Sequence, residues 1–216
     1  MQTIAHAATQ DRSRDTEERI AAAARELLRT RGIADVKMSD IAARAGVSVG
    51  GLYARFPSKE ALAVYLADKR VFDELSRETA AMVDEHDASI ADVVRRYLAT
   101  AASLYRRNRS LLRAVYVATR TGTDETLRAR VRQFNSVLHE RLRSAILARR
   151  KTIRHPQPET AVNLAILSMM ATLREVVLFG QPVSDLARLG EAELVEQLTR
   201  QFLAYVDVRE PGRKKR

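Results

Sequence analysis

Cysteine is absent from the 216 residues. That removes disulfides and thiolate chemistry and fits a reducing compartment. Glycine and proline are scarce, 8 and 5 in all. Nearly all of them fall where an apolar stripe ends, as at Gly32, Gly46, Pro57, Gly122, Pro156, Pro158, Gly180 and Pro182. No run alternates apolar and polar residues, so the pattern predicts helices throughout and no sheet. Long apolar runs are also missing. The charge-free stretch 160–173 has 14 residues, short of the ~20 a bilayer-spanning helix needs, and suits a buried helix. The N-terminal MQTIAHAATQDRSRDTEE contains no apolar signal-peptide segment.

What is present is globular composition, 46% hydrophobic, with a net charge of +10. A basic balance invites a polyanionic partner. The excess is unevenly placed: residues 95–154 carry 16 basic and 3 acidic side chains, residues 1–60 carry 10 and 8. Charge alone therefore does not place a nucleic-acid site.

The spacing of apolar residues predicts helices over about 15–31, 37–45, 48–56, 58–85, 89–107, 109–120, 124–152, 158–179 and 190–206. In the first, Ile20, Ala24, Leu27 and Leu28 share a face, with Asp15 or Thr16 as cap. The fourth carries Leu62, Leu66, Phe72, Leu75 and Met82 as its apolar positions, with Ser58 as cap. In the seventh, Leu127, Val131, Phe134, Leu138, Leu142 and Ile146 form a stripe, and Arg128, Arg130, Arg132, Arg141 and Arg143 fall off it, as solvated charges would. The final DVREPGRKKR has the composition of a basic disordered tail.

Gly46-Val47-Ser48-Val49-Gly50 reads G-x-S-x-G, the pattern of a hydrolase nucleophile elbow. An elbow needs a strand before its serine, whereas the preceding MSDIAARA has helical spacing, and His6, His86, His139 and His155 are scattered. A helix-turn-helix accounts for every position. Gly46 takes a positive φ and stops one helix, Val47 packs under the turn, and Ser48 caps the next. Leu52 and Phe56 then anchor that short helix on Ile20, Leu27 and Ile41, leaving Tyr53 and Arg55 outside. A short helix presenting its N-terminal end fits a major groove.

Three blocks carry a family resemblance: I-A-x-x-A-G-V-S at 41–48, G-x-L-Y at 50–53 and F-x-S-K-E-x-L at 56–62. With RIAAAARELLRTRG before them, they resemble the DNA-binding domain of the tetracycline-repressor (TetR) family of bacterial regulators over residues 14–66. Three positions depart from it: Lys37 stands where Thr or Ser opens the second helix, Ser39 where a basic residue is usual, and Gly51 where Thr, Ser or Ala is usual. Two successive glycines at a helix start cost about 1 kcal/mol each relative to Ala. Either the backbone approaches DNA closely there or the helix is simply weaker.

The resemblance implies an all-α chain: an N-terminal three-helix helix-turn-helix domain (15–60, after an arm at 1–14) and a helical bundle for ligand binding and dimerisation (61–206, before the tail at 207–216). It implies phosphate contacts from Tyr53 and Lys59, and a cation in the first turn of the fourth helix opposes the helix dipole unless an anion is near. Further candidate DNA contacts are Ser39, Arg44, Ser48, Val49, Gly50, Gly51 and Arg55, with Arg12 and Arg14 ahead of the first helix. Tyr53 could equally be a core-edge aromatic, and Arg55 a surface charge.

AVNLAILSMMATL is apolar on nearly all sides, more than one core requires. A helix of that kind suits a dimer interface, as the family's last two long helices do. The candidate positions are Leu164, Leu167, Met170, Leu173, Leu194, Leu198 and Phe202. A small-molecule effector pocket is implied by the resemblance alone, with Phe72, Tyr97, Tyr105, Tyr116, Phe134 and His139 as candidate linings, each of which also suits plain core.

The expectation is a sequence-specific, ligand-responsive homodimeric repressor at a palindromic operator in duplex DNA. It is not an enzyme, has no cofactor or membrane, and works in the bacterial cytoplasm at the nucleoid. A helical architectural DNA-binding protein without an effector is the alternative.

Overall fold

The computed structural model describes residues 2–33, 35–67, 71, 74, 76–78, 88–122, 124–180 and 189–209. In chain order its helices are α1 (Gln2–Thr30), α2 (Met38–Ala45), α3 (Val49–Tyr53), α4 (Lys59–Ala67), α5 (Ile90–Arg107), α6 (Arg109–Thr121), α7 (Glu125–Leu147), α8 (Pro158–Arg174) and α9 (Glu191–Val206). A 3-10 turn at Arg150–Thr152 follows α7, and π-helical turns at Glu175–Phe179 extend α8. The described residues form no strand, only a single antiparallel bridge between Ile153 and Val208. The all-helical expectation holds, with most boundaries within a few residues. α1 is the exception. It begins at Gln2, so Asp15 and Thr16 lie inside the helix and cap nothing. Residues 2–14 are helix-compatible by type but have no apolar stripe, the signal from which a helix is read. Ser58 does cap α4, accepting from the Ala61 N–H at 3.0 Å, while Phe72, Leu75 and Met82 lie outside the described residues.

The chain divides into two compact units. Unit 1 comprises residues 1–70 and 110–123. Its core joins Ile20, Ala21 and Ala24 of α1 to Val36, Met38, Ile41 and Ala42 around α2, closed by Leu52, Phe56, Leu62 and Leu66. Leu27 and Val47 pack at its edge. The alanines on α1 let α2 and α4 come close, and α2 in turn supports α3. Phe56 meets Tyr65 edge-on, 5.1 Å between ring centres.

Unit 2 comprises residues 71–109 and 124–216. Here α5 packs against α7, α8 and α9. Val94, Leu98 and Ala101 of α5 meet Leu142 and Ile146 of α7, Ile166, Met169 and Leu173 of α8, and Leu198 and Phe202 of α9. Asp124 caps α7 and Ser89 caps α5, each accepting from the backbone three residues on. The helical run 158–179 is 22 residues long, enough in length and composition to cross a bilayer, and longer than the 160–173 stretch suggested. One side of it, Val162, Ile166, Met169 and Leu173, is buried in the bundle core. Asn163, Ser168 and Thr172 are exposed on the other.

Candidate nucleic-acid interface

The turn between α2 and α3 is built as the sequence predicts. Gly46 sits at φ 64°, ψ 37°, the left-handed region that a side chain resists. The Val47 N–H donates back to the Ala42 carbonyl at 3.0 Å and closes the end of α2. At the other end of α2, Lys37 provides no side-chain cap. Ser48 caps α3: its Oγ accepts from the Gly51 N–H at 3.0 Å. Leu52 and Phe56 are buried and fasten α3 to unit 1.

With Leu52 held inside, the rest of α3 faces out. Val49 is 45% and Tyr53 46% exposed. Ser39, Ser48, Gly50 and Arg55 are exposed as well. A Cβ built on Gly50 would meet no atom within 4 Å, whereas one on Gly51 would lie 3.0 Å from the capping Ser48 Oγ. Gly51 thus keeps the cap intact, and nothing inside unit 1 requires Gly50 to lack a side chain. Arg55 Nη1 donates to the Gly51 carbonyl at 3.1 Å and braces α3 along its outer face.

Three cations have protein partners that the sequence did not reveal. Lys59 is half-buried, and its Nζ donates to the Ile33 carbonyl at 3.0 Å, tying the start of α4 to the α1–α2 connection. An anion is therefore not required to explain a lysine at that helix start. Arg44, expected as a DNA contact, is engaged by Glu26 of α1: Nε donates to Oε2 at 2.7 Å, and Nη2 meets Oε1. The packing of α1 on α2 brings the carboxylate within reach, and it raises the guanidinium pKa further. Arg19, which sequence reasoning passed over, donates to the carbonyls of Ala45 and Gly46 and so holds the turn itself. Its only sequence signal is adjacency to the core residue Ile20.

The proposed effector set does not fall in one unit. Tyr116, half-buried with Arg120 stacked 5.1 Å from its ring centre, belongs to unit 1. Tyr97, Tyr105, Phe134 and His139 belong to unit 2, and Phe72 lies outside the described residues. Tyr97 is 3% exposed, and its hydroxyl has no hydrogen-bond partner among the described residues. Burial pushes its phenol pKa well up, with the neighbouring Tyr105 adding to it. Burial likewise raises Tyr105, which Arg174 partly offsets. His139 is shifted down by burial and then by Arg174.

The proposed dimer residues divide differently from expectation. Met170, Leu173, Leu194, Leu198 and Phe202 are at most 4% exposed and belong to the core of unit 2, because the α8 face they share or meet turns toward α5. Leu164 and Leu167, at 47% and 60% exposed, point outward. Leu164 lines a groove of about 470 Å³ between α8 and α9, together with Ser168, Gln201, Ala204 and Tyr205, with Leu198 and Phe202 at its floor. The lining carries no formal charge.

Residues 20–66 match the family profile of the bacterial regulatory proteins of the tetR family. No curated protein matches the chain by sequence. Among solved structures, Thermus thermophilus FadR, a TetR family transcriptional repressor in complex with lauroyl-CoA, is 23% identical, aligns over 91% of this chain and 99% of its own, and superposes with a TM-score of 0.59. FadR from Bacillus subtilis, in complex with stearoyl-CoA, is 18% identical over 88% and 98% of the two chains, with a TM-score of 0.61. PfmR from Thermus thermophilus, a TetR family transcriptional regulator, is 17% identical over 89% and 99%, with a TM-score of 0.58. Residues 20–66 thus form a helix-turn-helix domain of the tetR type, and the chain shares its all-helical fold with these regulators.

Proposed function

We propose that this protein is a homodimeric, ligand-responsive transcriptional repressor that binds a palindromic operator. The observation that carries the reading is α3: a five-residue helix, capped by Ser48, whose outward surface is Val49, Gly50 and Tyr53. Such a surface suits a major groove, with Val49 against a thymine methyl, the Gly50 backbone close to the duplex, and Tyr53 on phosphate. Ser39 and Ser48 extend the same contact surface, and Arg55 reaches phosphate or guanine. Lys59 positions α4 and Arg44 positions α2 before either touches DNA.

One short helix reads too few bases for useful specificity. A two-fold dimer reads two half-sites about 34 Å apart. The uncharged groove between α8 and α9, lined by exposed Leu164, together with exposed Leu167 on α8, is the surface we assign to the second copy. For the effector we assign the interior of unit 2 around Tyr97, where a buried hydroxyl with no partner among the described residues favours a ligand acceptor. The acyl-CoA complexes of the two FadR relatives make acyl-CoA thioesters the first ligands to test. Binding favours a conformer whose reading heads are spaced differently, and operator affinity falls by the difference in the ligand's affinity for the two states.

Selection of bound DNA from a random duplex pool at physiological salt tests the reading. A recovered palindrome supports both specificity and the dimer. Steeply salt-dependent binding with no recovered sequence would favour an architectural DNA-binding protein instead.

A further inference from the structure

Most of the described arginines have carboxylate or carbonyl partners. Arg106 pairs with Glu191, Arg107 with Glu74, Arg128 and Arg132 with Glu125, and Arg143 with Glu140. One end of unit 2 is different. After α9, Asp207 adopts a left-handed turn at φ 51° and sends the chain back against the segment that follows α7. The Arg154 N–H donates to the Asp207 carbonyl at 3.0 Å and the Arg209 N–H to the Thr152 carbonyl at 2.9 Å, flanking the bridge between Ile153 and Val208. Ile153 and Val208 pack onto the bundle core. Their neighbours leave on the opposite side, as alternation along an extended segment requires. Arg154 and Arg209 beside the bridge, and Arg150 and Lys151 in the 3-10 turn just before it, are all exposed, with no side-chain partner among the described residues. Among the described residues, Asp207 is the carboxylate on this turn.

Cations are expected near helix C-termini, where the backbone carbonyls are unsatisfied. Here that role is filled by Arg149, whose Nη1 donates to the Ala145 carbonyl at 2.6 Å and whose Nε donates to the Ala88 carbonyl at 2.7 Å. The four remaining cations are surplus to it. Four like charges held together on a fixed turn repel one another, and a polyanion relieves that repulsion. The sequence continues beyond Arg209 with Arg213, Lys214, Lys215 and Arg216. Ile153 and Val208 are turned to the core, and Tyr205, 43% exposed, packs against His155 beside the cluster.

We infer that Arg150, Lys151, Arg154 and Arg209 form a second nucleic-acid surface, one that grips the phosphate backbone of duplex DNA without reading sequence. The surface lies outside the helix-turn-helix and uses none of its residues. It would let one molecule hold a non-operator segment of duplex.

The test uses the full chain and a 30-base-pair duplex of random sequence, with binding measured by fluorescence anisotropy across a salt series. The background is Tyr53→Ala, which weakens the helix-turn-helix contact. Into it go Arg150→Gln, Lys151→Gln, Arg154→Gln and Arg209→Gln together. Because these side chains are exposed and have no partners among the described residues, thermal unfolding is expected not to change. Loss of four phosphate contacts should make the log–log salt slope shallower by roughly 3 to 4 and weaken binding at least tenfold at low salt. An unchanged slope and affinity would overturn the inference. So would retention of the protein by phosphatidylglycerol vesicles, abolished by the four substitutions, with duplex binding unaltered. A random-sequence duplex keeps this outcome separate from the operator question: a failed operator selection leaves the slope measurement intact.

Discussion

Arg19 reaches from α1 to the carbonyl of Ala45, donating through Nε at 3.2 Å and Nη2 at 3.0 Å. The same Nη2 contacts the Gly46 carbonyl at 3.1 Å, so one guanidinium holds the end of α2 and the first residue of the turn. Arg19→Met keeps much of the stem and removes these bonds. Hydrogen bonds from a charged donor contribute about 1.5–3 kcal/mol when buried, and exposure of this side chain reduces that to roughly 1 kcal/mol. The expected result is a small drop in unfolding free energy with a larger loss of duplex affinity, because α3 loses its fixed angle. Equal losses in the two measurements would assign Arg19 to folding alone.

Gly50 and Gly51 separate two explanations for a glycine pair at a helix start. Gly50→Ala adds a methyl into open space and should stabilise unit 1 by roughly 0.5–1 kcal/mol through helix propensity. If the backbone there approaches DNA, the same substitution weakens binding at least fivefold. Gly51→Ala presses on the Ser48 hydroxyl, 3.0 Å away, and should forfeit the propensity gain. A stabilised Gly50→Ala protein with unaltered DNA affinity would show that the close approach does not occur.

The assignment of the α8–α9 groove is testable by a contrast of two leucines. Leu167 is 60% exposed and Leu173 fully buried. Leu167→Arg should leave the protomer folded and shift the sedimentation profile from dimer to monomer. Leu173→Ala should instead cost about 2–5 kcal/mol of protomer stability by leaving a cavity. A dimer that survives Leu167→Arg and Leu164→Glu together would remove the groove from the interface.

His139 gives unit 2 a pH dependence of defined sign. Burial, then Arg174, holds its folded-state pKa below the ordinary 6.5. The unfolded chain therefore binds a proton first as pH falls. The stability associated with neutral His139 is fully present above about pH 6.5 and is lost as pH falls from there through the folded-state pKa. His139→Gln should flatten the part of the stability profile just below pH 6.5. A profile identical to the parent would mean that the imidazole gains its proton equally easily folded and unfolded.

Fold class and the recognition turn were legible because both are local. Apolar spacing marks a helix, a glycine that must take positive φ marks its end, and a serine three residues before a free N–H marks the next start. Residues 2–14 escaped because a polar helix leaves no stripe to read. Lys59 on Ile33, Arg44 on Glu26 and Arg19 on Ala45 join residues 18 to 26 positions apart. Long flexible cations find such partners only once the helices have packed. The dimer positions could not be sorted into inner and outer sides from sequence for a further reason. The AVNLAILSMMATL stretch of α8 has only Asn163, Ser168 and Thr172 among the apolar residues of its outer side, too weak a polar face to show from sequence which side turns inward. Only the position of α5 separates Leu173 from Leu167.

The central claim is that the outward face of α3 reads bases, and Val49 tests it most directly. Operator selection from a random pool is carried out in parallel with the parent protein and with Val49→Asn, a side chain that prefers adenine where valine would meet a thymine methyl. The account predicts two palindromes that differ at one symmetry-related position in each half-site. Recovery of the same sequence by both proteins, at equal affinity, would contradict it.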